Sequence, residues 1–142
     1  MVRIETKYMD RKEFLSQVGL GGSALFAAAC MQSCSKSDNL SNLDFTLDIT
    51  SSSFAALKSP GGYVITQGVI VALSLNNTYL AVSAACPHEG VNVQFQAGQN
   101  QFYCAAHSSY FSSTGSRISG PAQRGLTQFK TILTGNSLRV YA

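Results

Sequence analysis

Hydrophobic and polar residues alternate along several short segments of this chain. In residues 43–49 the odd positions are apolar and the even positions are polar, and a period of two predicts a strand with one buried face. Further predicted strands cover residues 63–66, 69–73, 78–83, 91–95, 101–104, 129–133 and 137–141. No long segment after the N-terminal region has helical periodicity. We therefore predict an all-β domain of about nine short strands.

The N-terminal segment has the organisation of a targeting sequence. Arg11 and Lys12 precede an apolar run, residues 18–31, whose 14 residues are fewer than the roughly 20 of a membrane-spanning helix. Residues 10–15 resemble a twin-arginine export signal in which Lys12 replaces the second arginine. We expect residues 1–34 to be a helical signal peptide or lipoprotein leader, residues 35–42 a linker, and residues 43–142 the folded domain.

Two cysteines end short stretches that resemble bacterial lipoprotein cleavage sites. Cys30 follows three alanines, and Cys34 is followed by a polar stretch typical of a lipoprotein tether. Lipidation at Cys30 or Cys34 would attach an exported protein to a membrane. An uncleaved helical anchor and a soluble periplasmic protein are the alternatives.

Composition limits the possible functions. The 142 residues suffice for one domain, charged residues make up only 12% of the chain, and the net charge is +3. There is no basic run or stripe, so we expect no nucleic-acid partner.

The remaining two cysteines and both histidines fall into two short motifs. The first is Cys86-Pro87-His88, and the second is Cys104-Ala105-Ala106-His107, after the intervening residues 89–103. Each motif follows a predicted strand and supplies one thiolate and one imidazole. Two histidines and two cysteines form the ligand set of a Rieske [2Fe–2S] centre. We therefore predict that Cys86, His88, Cys104 and His107 hold one such cluster per chain.

Three other interpretations use the same residues. A Cys86–Cys104 disulfide is possible in an exported protein, but it leaves the positions of both histidines unexplained. A Cys₂His₂ zinc site is chemically sound, although zinc fingers usually pair like ligands across a helix. A hydrolytic Cys–His dyad would leave half of these residues without a role.

From about Gly62 to Tyr141 the sequence resembles Rieske [2Fe–2S] domains. The two motifs carry the resemblance, and residues 119–122, with Gly120 and Pro121, look like the proline loop that covers the cluster in that family. We call these four residues the cover loop. The resemblance implies antiparallel sheets with a small cluster-binding subdomain.

The departures from the family pattern bear on the reduction potential. High-potential members have a disulfide between the positions of Val91 and Ala106, and hydroxyl donors to sulfur at the positions of Ser109 and Phe111. Only Ser109 retains its donor, so we expect an intermediate potential. Ser108 stands where most relatives have glycine.

These features predict a one-electron transfer protein at the bacterial cell envelope. Its partners would be a redox donor and acceptor, with no small-molecule substrate of its own and no catalytic residue. The second hypothesis is a subunit of a larger oxidoreductase, such as a quinol-oxidising complex. The third is a zinc-stabilised binding module without redox activity.

Overall fold

A computed structural model describes residues 40–142, and within them the predicted strands form antiparallel sheets. The leader with Cys30 and Cys34, and residues 35–39 of the linker, lie outside the described residues. Ten strands are present: β1 (Asp44–Asp48), β2 (Tyr63–Thr66), β3 (Val69–Leu73), β4 (Tyr79–Ser83), β5 (Gln94–Gln96), β6 (Gln101–Cys104), β7 (Ser109–Ser112), β8 (Arg117–Ser119), β9 (Gln128–Thr134) and β10 (Ser137–Tyr141). Short 3₁₀ helices cover Leu40–Asn42, Ser52–Lys58 and Ala97–Gln99.

The strands form two sheets. The larger has six strands in the order β1-β10-β9-β4-β3-β2, and the smaller has four in the order β5-β6-β7-β8. The chain leaves the large sheet after Ser83 and returns at Thr127, where the Ser83 amide donates to the Thr127 carbonyl at 2.8 Å. Residues 84–127 are therefore a small subdomain inserted between the neighbouring strands β4 and β9, which confirms the predicted architecture.

Strand β3 is buried along its whole length because apolar residues cover both of its faces. Ile70 and Ala72 belong to one hydrophobic core, and Val69 and Val71 to the other. The first core extends into the small sheet, and its buried members include Cys86 and Cys104. The residues after β4 and at the end of β6 are thus fixed by packing.

The predicted strands agree with the structure except around the small sheet. Strands β7 and β8 were not predicted, and β5 begins at Gln94, three residues later than expected. All three residues of β8 are exposed. This strand therefore lacks the alternation of buried and exposed positions by which a strand is predicted from sequence. Within residues 40–142, no helix is both long and apolar enough to cross a membrane.

Candidate metal centre

The first motif lies in a tight loop, residues 86–91, that follows β4. The Cys86 amide donates to the Val91 carbonyl at 2.9 Å, and the Gly90 amide donates to the Cys86 carbonyl at 2.8 Å. Gly90 has a φ of +74°, a left-handed conformation that costs glycine little. A bridge between Ala85 and Asn92 closes the base of the loop. The loop backbone therefore places Cys86 inward and His88 at the tip.

The second motif spans the hairpin between β6 and β7. Cys104 is paired with Ser109 in the sheet, so the four residues 105–108 form the loop that carries His107. Ser108 has a φ of +54°, a conformation that most side chains avoid. Ser108 therefore occupies a position whose backbone conformation favours glycine.

The two loops bring the imidazoles together with the same ring atom facing inward. The Nδ1 atoms of His88 and His107 are 3.2 Å apart, and the rings are nearly perpendicular with centroids 4.7 Å apart. Two nitrogen ligands of one tetrahedral metal ion, each at about 2.05 Å, would lie about 3.4 Å apart. The observed spacing fits two Nδ1 ligands of a single metal ion, and both rings are exposed at the surface.

The cysteines of the two motifs are buried, in contrast to the exposed imidazoles. Cys86 and Cys104 are each 2% exposed, and both are free thiols, so this structure contains no Cys86–Cys104 disulfide. Burial raises the pKa of the Cys86 thiol, while hydrogen bonds from the backbone amides of His88 and Glu89 oppose that rise. Amide donors directed at a sulfur suit a metal-bound thiolate, which carries negative charge.

The cover loop packs directly against the strand that follows His107. Gly120 has a φ of +96°, and a Cβ atom placed there would lie 2.4 Å from the Ser109 Cα and 2.6 Å from the Ser108 carbonyl oxygen. The Ala122 amide donates to the Ser109 hydroxyl at 3.2 Å, and the Arg117 guanidinium donates to the Gly120 carbonyl at 2.7 Å. The residues on both sides of Pro121 are thereby held against Ser109, two positions after His107.

Ser109 and Phe111 are both fully buried, but only one has a hydroxyl. The Ser109 oxygen accepts from Ala122, and within residues 40–142 no acceptor for its own proton is found. Its proton is therefore available for donation to a group bound beside Ser109. Phe111 packs in the same core as Cys86 and Cys104 and offers no donor there.

The structure brings Glu89 to the site, a residue that the two cysteine–histidine motifs do not include. One carboxylate oxygen of Glu89 lies 3.7 Å from the His107 Nδ1, although the two residues belong to different loops. Within the described part of the chain, His88, Glu89 and His107 are the only three metal-ligating side chains whose donor atoms lie within 4.8 Å of one another. The sequence shows only that Glu89 follows His88. Its proximity to His107 results from the fold and could not be predicted from the sequence.

Comparison with known proteins identifies a matching family. Residues 47–130 match the family described as Rieske [2Fe-2S] domain. The cytochrome b6-f complex iron-sulfur subunit of Synechococcus elongatus is 31% identical over 101 residues, covering 66% of this chain and 56% of that protein. The subunit of the same description from Chlorobaculum thiosulfatiphilum is 30% identical over 76 residues, covering 54% of this chain and 42% of that protein.

Solved structures show the same fold. The cyanobacterial plasma membrane Rieske protein from Synechocystis PCC 6803 has a TM-score of 0.52 and 32% identity, covering 63% of this chain and 95% of that chain. The ferredoxin of carbazole 1,9a-dioxygenase from Nocardioides aromaticivorans IC177 also has a TM-score of 0.52, at 21% identity, covering 61% of this chain and 91% of that chain. At that identity the second likeness concerns the fold alone.

Proposed function

This chain belongs to the Rieske [2Fe-2S] domain family, whose members bind a [2Fe–2S] cluster, and we propose that Cys86, His88, Cys104 and His107 are its ligands. The observation that carries the proposal is the pair of Nδ1 atoms 3.2 Å apart, in the two loops that also supply two buried free thiols. When bound, the cluster takes up and releases one electron. The protein is accordingly a Rieske electron-transfer protein.

The burial of the ligands assigns them different roles. Cys86 and Cys104 lie in the hydrophobic core, and the apolar residues of that core keep water from the two sulfurs. His88 and His107 are exposed, so their outer ring edges are the part of the site that a partner can touch. We propose that donor and acceptor proteins meet the cluster there, and that the site needs no pocket for a small molecule.

The hydrogen-bond donors support an intermediate reduction potential. Hydrogen bonds donated to the cluster sulfurs raise the potential, because they stabilise the negative charge that reduction adds. Ser109 offers a buried hydroxyl, whereas Phe111 offers none. Val91 and Ala106 occupy the two positions where high-potential members of the family have the disulfide.

A potentiometric measurement on the full chain tests this function. The protein would be purified without air, and the reduced fraction would be followed by electron paramagnetic resonance. We expect one reversible one-electron step inside the Rieske range of about −150 to +300 mV and away from both of its ends. The absence of a reversible step would contradict electron transfer, whereas a value at either end would contradict only the intermediate potential.

We further propose that the protein acts at the bacterial cell envelope, as an exported or lipid-anchored carrier. The leader pattern of residues 1–34 supports export, and the similar Synechocystis protein is described as a plasma membrane protein. The test is fractionation of cells producing the full chain, with Cys30→Ser and Cys34→Ser variants. Loss of membrane association in one variant would identify the lipidated cysteine, and a cytoplasmic location in all cases would contradict the proposal.

The second candidate function is a subunit of a larger oxidoreductase. The similarity to cytochrome b6-f iron-sulfur subunits favours it, although this chain spans about half the length of those relatives. The absence of cysteine at positions 91 and 106, and of a hydroxyl at Phe111, argues against a standard quinol oxidiser. Co-purification of the native protein with a cytochrome would support the subunit role, and its isolation as a single chain would support the independent carrier.

A further inference from the structure

Glu89 places a carboxylate at the exposed edge of the site. It follows His88 in the first loop, and its oxygen lies 3.7 Å from the Nδ1 of His107 in the second loop. The Glu89 side chain is 55% exposed and that of His107 42% exposed. The carboxylate therefore lies outside the hydrophobic core but beside the atom through which His107 would bind iron.

No cationic side chain of the described residues neutralises this carboxylate. Its one ion-pair contact in that part of the chain is with His107. The other two acidic residues there, Asp44 and Asp48, both lie on β1 at the edge of the six-stranded sheet. Glu89 is therefore the one acidic residue of the inserted subdomain, residues 84–127.

We infer that Glu89 lowers the reduction potential of the cluster, an inference that rests on the ligand assignment proposed above. Reduction adds one negative charge to the cluster. A fixed negative charge a few ångströms from the histidine side opposes that addition by Coulomb repulsion. Because Glu89 is exposed, water and salt weaken the effect without removing it at such a short separation.

The same position could instead make Glu89 a third ligand of the histidine-bound iron. The two roles differ in what substitution does. A ligand cannot be replaced by glutamine without changing the electronic structure of the iron, so the electron paramagnetic resonance signal would change. A nearby charge can be removed while the signal keeps its mixed-ligand form. The structure favours the second role, because four other residues already supply a complete ligand set.

The experiment compares the potentials of the wild-type protein, Glu89→Gln, Glu89→Asp and Asp48→Asn at neutral pH. Asp48→Asn removes the same charge from β1 and serves as the matched control. We expect Glu89→Gln to raise the equilibrium constant for reduction at least threefold, which is about 28 mV for a one-electron couple. Asp48→Asn should leave it unchanged, and Glu89→Asp should remain near the wild-type value.

Salt dependence supplies a second readout that a loss of structure would not mimic. The difference between wild type and Glu89→Gln should shrink as the salt concentration rises toward about 1 M, where the screening length falls to about 3 Å. Equal potentials for wild type and Glu89→Gln, or an altered resonance signal in that variant, would overturn the inference while leaving the electron-transfer function intact. A wild-type protein without iron and sulfide would overturn both.

Discussion

The amide of Ala122 donates a hydrogen bond of 3.2 Å to the fully buried hydroxyl of Ser109. This contact joins the cover loop to the first residue of β7, two positions after His107. One side chain therefore holds the cover loop in place, and its hydroxyl proton, which has no acceptor within residues 40–142, is available to a bound cluster. The two roles can be separated, because one affects folding stability and the other affects the reduction potential.

Ser109→Ala should lower both stability and potential. Without the hydroxyl, the Ala122 amide loses its acceptor, and a buried unsatisfied amide costs about 1–3 kcal/mol of unfolding free energy. The potential should fall because a donor toward the cluster sulfurs is removed. Thermal unfolding and potentiometry of the same preparations measure the two effects. Ser53→Ala, at an exposed position of the 3₁₀ helix Ser52–Lys58 and outside the cover loop, is the control. A lower stability with an unchanged potential would restrict Ser109 to a structural role.

Gly120→Ala should displace the cover loop. The added Cβ would lie 2.4 Å from the Ser109 Cα, and the φ of +96° disfavours any side chain. The conformational strain costs roughly 1–3 kcal/mol, and the forced shift of the loop adds about 1–3 kcal/mol. We expect a lower unfolding temperature and faster loss of iron in air. Gly98→Ala, where a Cβ meets no atom within 4 Å, should be close to neutral. Similar effects of the two substitutions would contradict the close packing of the loop.

Ser108→Gly should stabilise the protein. A non-glycine residue in the left-handed region costs about 1–2 kcal/mol, and glycine removes this cost. The greater freedom of glycine in the unfolded chain offsets roughly 0.5–1 kcal/mol of the resulting gain in stability. The net expectation is a gain of about 0.5–1 kcal/mol, measured as a higher unfolding temperature at unchanged iron content. Asn77, at φ +57°, is the comparison, because asparagine tolerates this conformation and Asn77→Gly should gain less. A loss of stability in Ser108→Gly would mean that the serine side chain has a role of its own.

The Asp44–Arg139 pair should make stability depend on pH on the acid side. A hydrogen bond from Arg139, together with its charge, lowers the pKa of Asp44. A carboxyl whose pKa is lower in the folded protein stabilises it above the ordinary carboxyl pKa near 4, and this contribution is lost as the pH falls through the folded value. The wild-type unfolding temperature should exceed that of Asp44→Asn at pH values near 6, with the difference narrowing below about 4. A difference independent of pH would contradict the ion pair.

Much of the architecture could be predicted because burial leaves a period of two in the sequence. Residues 43–49 gave strand β1 for that reason, and the continuous apolar run Val69–Leu73 forms the fully buried strand β3. Strand β8 could not be predicted, since none of its residues is buried. The two motifs predicted the pairing of their side chains: the Nδ1 atoms of His88 and His107 lie 3.2 Å apart, and Cys86 and Cys104 share one hydrophobic core. That these four residues bind a cluster stays a prediction. Two features depend on how the two loops pack against each other: the Nδ1 atoms are the ring atoms of His88 and His107 that face each other, and Glu89 contacts His107. Neither feature can be predicted from a local sequence pattern.

Metal and sulfide analysis of the full chain tests the central claim most directly. The protein would be produced with added iron, purified without air, assayed for iron, acid-labile sulfide and zinc, and examined by electron paramagnetic resonance after reduction. We predict two irons and two sulfides per chain, with a mixed-ligand Rieske signal that is lost in both His88→Ala and His107→Ala. One zinc ion per chain with no sulfide, persisting after attempted cluster reconstitution, would contradict the account.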